Sequence, residues 1–194
     1  MKSFKLFLLA TLLIISSCKE DAATEAKKES PFEPSLETPA VVDKLQLNST
    51  LYFIRHAEKV TIDVEDIDPE LTQIGLGRAM HWAEILNEIP LDAIYSTDFT
   101  RTSMTAAPTS VKQNVDVAYY DLKTIDILDI AATHTNGNVL VVGHSSTIPA
   151  FVNQLLGEEK YNALEELEYG ALFTVTIIEG VVVANKLAFN CSLN

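Results

Sequence analysis

The chain has 194 residues, 14 basic and 27 acidic, with a formal net charge of −13 and an apolar fraction of 47%. That length allows one ordinary domain plus a tail, and the apolar fraction is too high for a chain disordered throughout. The acidity excludes a protein that grips nucleic acid through a general basic surface, and two cysteines, Cys18 and Cys191, exclude a disulfide-dense scaffold and a four-cysteine zinc site.

The first 18 residues stand apart. Lys2 and Lys5 precede an apolar run over 6–15, and Ser16, Ser17 and Cys18 follow. This is the layout of a secretory signal peptide; a membrane-crossing helix needs roughly 20 apolar residues, about twice this run. Ile15-Ser16-Ser17-Cys18 resembles the lipobox of bacterial lipoproteins. The resemblance implies cleavage before Cys18, lipidation of that residue and a lipid-anchored, exported protein of the cell envelope. Plain cleavage to a soluble secreted form is the alternative. Lys19-Glu20-Asp21 resembles the signal that sends some lipoproteins to the outer face of the outer membrane, and reads equally as a solvated charge run. Residues 18–47 then form a linker, with Pro31, Pro34 and Pro39 and no period that could bury a face. The domain is expected over 48–194, where 8 basic and 20 acidic residues leave a net charge of −12.

Within the body, 51–54 is a short strand run. Thr72 predicts an N-cap, and a helix follows to about residue 87 with Ile74, Ala79, Trp82, Ile85 and Leu86 on one side. Residues 91–95 read as a second strand, 98 to about 110 as a helix whose end Pro108 disturbs, and 115–119 as a third strand. A helix is expected over 122–133. Val139-Leu140-Val141-Val142 has the unbroken apolar character of a strand buried on both faces. Short helices are expected over 148–156 and 160–167, then a hairpin of 171–178 and 181–187 joined by Glu179-Gly180. Strands alternating with helices predict a three-layer α/β/α sandwich with a mostly parallel central sheet and a C-terminal hairpin.

Open α/β sheets bind ligands beyond the carboxyl ends of their strands. Arg55, His56 and Glu58 follow the first predicted strand. Ser96, Asp98 and Arg101 follow the second, Asp121 the third, and His144 and Ser145 the buried fourth. His81 and His134 fall inside helix patterns and are left there. The residues 63–70, with Asp63, Glu65, Asp66, Asp68 and Glu70, read as a solvated acidic loop.

Four segments, 51–58 (LYFIRHAE), 71–79 (LTQIGLGRA), 94–106 (IYSTDFTRTSMTA) and 139–149 (VLVVGHSSTIP), resemble in order and spacing the motifs of the histidine phosphatase superfamily, which includes phosphoglycerate mutases, acid phosphatases and small phosphohistidine phosphatases. The short body looks most like the small bacterial members. The resemblance implies that His56 is a nucleophile that accepts a phosphoryl group, with Arg55, Arg101 and His144 around the phosphate. Chemistry favours those residue types independently, because phosphoryl transfer needs positioning and stabilised equatorial charge, and arginine offers a fixed fork of donors. Asp121 and Glu58 are competing candidates for the proton donor to the leaving group. Ser145 is a candidate phosphate donor at a helix start, with plain capping as the competing role. No cofactor is implied, and no HxxxH or CxxC spacing suggests a metal. The expected ligand is a small phosphorylated substrate. Phosphohistidine hydrolysis, phosphosugar mutase activity on the same site, and a non-catalytic phosphate-binding lipoprotein are the alternatives.

Overall fold

The computed structural model describes residues 48–62 and 65–189. The expected signal peptide, Cys18 and linker, as well as Asp63 and Cys191, lie outside the described residues.

Strand β1, Ser49–Arg55, runs parallel to β4, Asn138–Gly143, in the middle of a six-stranded sheet. The order is β3-β2-β4-β1-β5-β6, with β2 at Ala93–Thr97, β3 at Val117–Tyr120, β5 at Ala171–Ile178 and β6 at Val181–Ala188. The four strands β3, β2, β4 and β1 are parallel; β5 pairs antiparallel with β1, and β6 with β5. Residues 139–142 of β4 are wholly buried, as an apolar run flanked by strands and covered on both faces requires. Glu179 and Gly180 both adopt positive φ, 50° and 82°. That is the backbone of a type I′ turn, whose twist suits a hairpin.

Helices α1 (Gln73–Ile85) and α2 (Thr100–Gln113) cover one face, where Trp82, Leu86 and Ala106 pack on Ile54, Ile94, Leu140, Val142 and Leu172. Helices α3 (Ile127–Thr133) and α4 (Thr147–Leu156) cover the other, packing on Leu51, Phe53, Val139, Val141 and Phe173. The three-layer sandwich with its terminal hairpin is the observed architecture. Among the described residues no helix is long and apolar enough to cross a membrane.

Several local expectations are corrected. The expected helix over 122–133 forms only from Ile127, because the Asp121 carbonyl takes the Thr124 and Ile125 N–H groups in a turn and Asp126 caps the Leu128 N–H. No helix forms over 160–167. The buried Asn153 accepts from the backbone of Lys160 and Tyr161 and donates to the Tyr161 carbonyl, and Leu164 N–H goes to the Ser145 carbonyl. These long-range bonds consume groups that a helix would pair internally. Pro108 sits inside α2, which continues to Gln113 and ends at Asn114 in the left-handed region. Ile74 is 53% exposed, since the buried face of α1 runs through Gly75, Arg78, Ala79, Trp82 and Ala83.

Candidate active site

Parallel pairing of β1 with β4 places Arg55 opposite Gly143. His56 and His144 are each one residue further on, so the two rings emerge side by side at the carboxyl edge of the sheet. The His56 N–H donates to the Gly143 carbonyl, and the ring centroids stand 5.5 Å apart, edge to face. Beyond His56 the backbone is pinned twice. The Ala57 N–H donates to Thr105 Oγ1, and Thr72 N–H and Oγ1 both donate to the Glu58 carbonyl. A Cβ on Gly75 would collide with that same carbonyl, so α1 approaches the loop as closely as it does only because residue 75 is glycine.

His56 is 4% exposed, and its Nδ1 lies 2.8 Å from the Ala57 carbonyl oxygen. A carbonyl only accepts, so Nδ1 carries the proton and Nε2 keeps a free lone pair. Burial, reinforced by Arg55, His144 and Arg101 and opposed by the Ala57 bond, pulls the His56 pKa down to about 3. The ring is therefore neutral near pH 7.

His144 is fixed by a chain of threonines. Thr102 Oγ1 lies 2.8 Å from the carbonyls of both Thr97 and Phe99, so its single proton goes to one of them. Thr97 Oγ1, 2.9 Å from Thr102 Oγ1, then donates to Thr102, and His144 Nε2, 3.0 Å from Thr97 Oγ1, is the donor at the end of the chain. Burial, then Arg101 and Arg55, lowers the His144 pKa to about 4.

The two arginines are held from outside the site. Arg55, 4% exposed, donates through Nη1 to the Glu165 and Glu166 carbonyls at 2.9 Å, and its guanidinium lies 4.3 Å over the Tyr169 ring. The non-helical course of 160–170 supplies these contacts. Arg101 lies 4.3 Å over Phe99 and 3.4 Å from Asp68. Asp68 also accepts from Thr100 N–H, at 2.8 and 3.1 Å, and from Thr100 Oγ1 at 2.7 Å. It thus caps α2, whose N-cap Phe99 makes no side-chain bond. The expected solvated acidic loop is corrected at this residue. Among the described residues nothing accepts from Arg55 Nε or Arg101 Nε, although both atoms are buried. Donors left unpaired in this way are costly, and an anion bound between them would remove the cost.

The remaining expected residues are distributed as follows. Glu58 grips Arg78 with contacts of 2.6 to 2.9 Å. Asp121 is exposed and accepts from the Lys123 N–H. It lies on the wall of a cavity of about 520 Å³ that also includes Thr97 and Phe99, both neighbours of His144. Ser145 lies in the turn before α4, whose N-cap is Ser146, and its carbonyl accepts from the Leu164 N–H; Thr147 Oγ1 accepts from the His144 N–H. His134 bonds Tyr95, away from the site, and His81 is an exposed residue of α1. Tyr169, Thr97, Thr102, Thr105, Asp68 and Arg78 are site neighbours that sequence reasoning missed. The buried threonines 102, 105 and 109 recur at helical spacing, a polar stripe on an inward face that could have signalled a polar cluster. Among the described residues no group of three His, Cys, Asp or Glu side chains is arranged to hold a metal ion.

Residues 51–122 match the family model of the histidine phosphatase superfamily, branch 1. The match takes in the strand before His56, the α2 arginine and Asp121. Solved structures agree in fold. A protein assigned as the phosphohistidine phosphatase SixA from Agrobacterium tumefaciens aligns at TM-score 0.56 and 20% identity, covering 73% of this chain and 98% of its own. A second SixA assignment, from Nakamurella multipartitia, aligns at 0.50 and 27%, covering 66% and 84%. A phosphoserine phosphatase from Entamoeba histolytica, solved in complex with 3-phosphoglyceric acid, aligns at 0.55 and 18%, covering 73% and 98%. No curated protein matches the chain significantly.

Proposed function

We propose that the domain hydrolyses phosphomonoesters through a phosphohistidine intermediate on His56, without a metal ion. The observation that carries this is the pairing of a neutral His56, whose Nε2 lone pair is free, with two arginines whose buried Nε–H groups lack partners. Nε2 attacks phosphorus in line, the bond from phosphorus to the ester oxygen breaks, and the departing oxygen takes up a proton. The new imidazolium keeps its Nδ1–H bond to the Ala57 carbonyl. Water then attacks phosphorus, the P–N bond breaks, inorganic phosphate leaves, and the water proton passes to solvent. Arg55 and Arg101 hold the equatorial oxygens through the charge-assisted contacts that phosphoryl transfer depends on, and His144 donates to a third oxygen once the bound dianion draws a proton onto its Nδ1. Because Glu58 is committed to Arg78, Asp121 is the remaining carboxylate candidate for the proton donor.

The test is His56→Ala assayed on p-nitrophenyl phosphate, with acid quench of the native enzyme to trap acid-labile phosphate on His56. Turnover should vanish in the variant; wild-type turnover refutes the mechanism. Trapping no phosphohistidine while phosphate still binds points to the non-catalytic reading. Phosphohistidine hydrolysis is the second reading. Glu58 is bound to Arg78 and Asp68 to Arg101 and Thr100, which suits an imidazole that leaves without a strong acid. We also propose that the chain is exported and lipidated at Cys18. Intact mass of the mature protein should show residues 1–17 removed and acyl chains on Cys18; a mature chain that begins elsewhere refutes it.

A further inference from the structure

Resting on that reading, we propose that the cavity beside His144 is the leaving-group subsite, and that it selects a flat aromatic group bearing no second negative charge. The cavity shares Thr97 and Phe99 with the phosphate site, so a group esterified to a phosphate between the histidines enters it directly. Its volume, about 520 Å³, suits a small organic group.

The walls define the chemistry. Phe99, Tyr119, Tyr120 and Leu122 supply carbon surface. Tyr119 and Leu122 are 56% and 40% exposed, an outlay of apolar surface that a ligand would cover. The Tyr120 hydroxyl is spent on the Val142 carbonyl, so this ring offers its carbon framework to the cavity. Two carboxylates, Asp98 and Asp121, stand in the same wall against one cation, Lys123, in a domain of net charge −12. A second phosphate or carboxylate on the substrate would meet that field, whereas an aromatic ring would meet hydrocarbon. The reaction side agrees. A phenol has a pKa of about 10, so a phenolate departs and takes its proton from water with little help from an acid. Glu58 and Asp68 are bound to Arg78 and Arg101, which suits a leaving group that needs little acid.

The experiment uses the full chain and separates binding from leaving-group reactivity by means of stable phosphonates. Benzylphosphonate, ethylphosphonate and phosphonoacetate compete against p-nitrophenyl phosphate hydrolysis. Benzylphosphonate should inhibit about tenfold more tightly than ethylphosphonate, the effect of covering one ring's additional apolar surface. Phosphonoacetate, with its second anion, should be the weakest of the three. Tyr119→Ala combined with Leu122→Ala should bring the benzyl-to-ethyl ratio close to one; both residues are exposed, so the fold should tolerate their loss. Asp98→Asn with Asp121→Asn should tighten phosphonoacetate. Equal inhibition by all three compounds, or tightest inhibition by phosphonoacetate, overturns the proposal. Retention of the benzyl preference in the Tyr119/Leu122 variant also overturns it. Failure of the catalytic reading has a different signature: wild-type turnover in His56→Ala.

Discussion

Replacing Thr97 by valine removes one oxygen and leaves shape and volume nearly unchanged. That oxygen is the acceptor 3.0 Å from His144 Nε2 and the donor 2.9 Å from Thr102 Oγ1. Thr97 is 2% exposed, so water does not replace it readily. A buried donor left without an acceptor costs about 1–3 kcal/mol. If His144 then loses its orientation toward the bound phosphate, kcat/KM should fall by about tenfold to a hundredfold, at about 1.4 kcal/mol per decade. Thr97→Ser restores the oxygen and should recover most of the rate. The assay is the pH dependence of kcat/KM on p-nitrophenyl phosphate for the three proteins, with vanadate inhibition as a direct reading of the anion site. Vanadate should weaken in the valine variant and recover in the serine variant. A valine variant with wild-type kcat/KM, vanadate inhibition and pH profile refutes the proton assignment of the threonine chain.

Two further outcomes follow from the same geometry. Asp68→Ala removes the side-chain cap of α2, a loss of about 1 kcal/mol, so Tm should drop by about 2–4 °C for a domain of this size. Glu70→Ala, exposed in the same loop, is the control; equal effects of the two substitutions in thermal unfolding remove the capping role. His56 and His144 both have folded-state pKa values, about 3 and about 4, below the ordinary 6.5. The unfolded chain therefore binds more protons than the folded one below pH 6.5. The stability tied to the two neutral rings is complete above that value and is lost as pH falls towards 3, by at most about 1.4 kcal/mol per pH unit for each ring. Sulfate remains a dianion throughout this range and favours protonated rings, so it should raise Tm more at pH 5 than at pH 7.5. A sulfate effect independent of pH, or absent, removes the link between the rings and the anion site.

Much of this was legible in the sequence. The apolar run 139–142 requires a strand buried on both faces, and Glu179-Gly180 between two strand patterns requires a hairpin turn. Arg55, His56, Arg101 and His144 each sit at the end of a strongly patterned strand or in the first turn of the helix that follows. Local pattern and strand topology suffice to bring such residues to one edge of a parallel sheet. Local pattern failed where long-range bonds override it. The helix pattern over 160–167 yields to Asn153, and the acidic loop surrenders Asp68 to a helix whose first residue lies 32 positions away.

The sequence by itself determined which side chains could do the chemistry, because residue type and strand position are local properties. A strongly acidic composition repels anions on average; in the fold, the acids divide by position, with Glu58 and Asp68 holding Arg78 and Arg101, and Asp98 and Asp121 lining the adjoining cavity. Only tertiary structure decided that division, and only it decided the protonation of the site. Burial and the field of two arginines keep both histidines neutral, a carbonyl fixes the proton of one ring, and a threonine chain fixes that of the other. These effects depend on distances between residues as much as 89 positions apart in the chain, Arg55 and His144, and such distances do not exist until the sheet has closed.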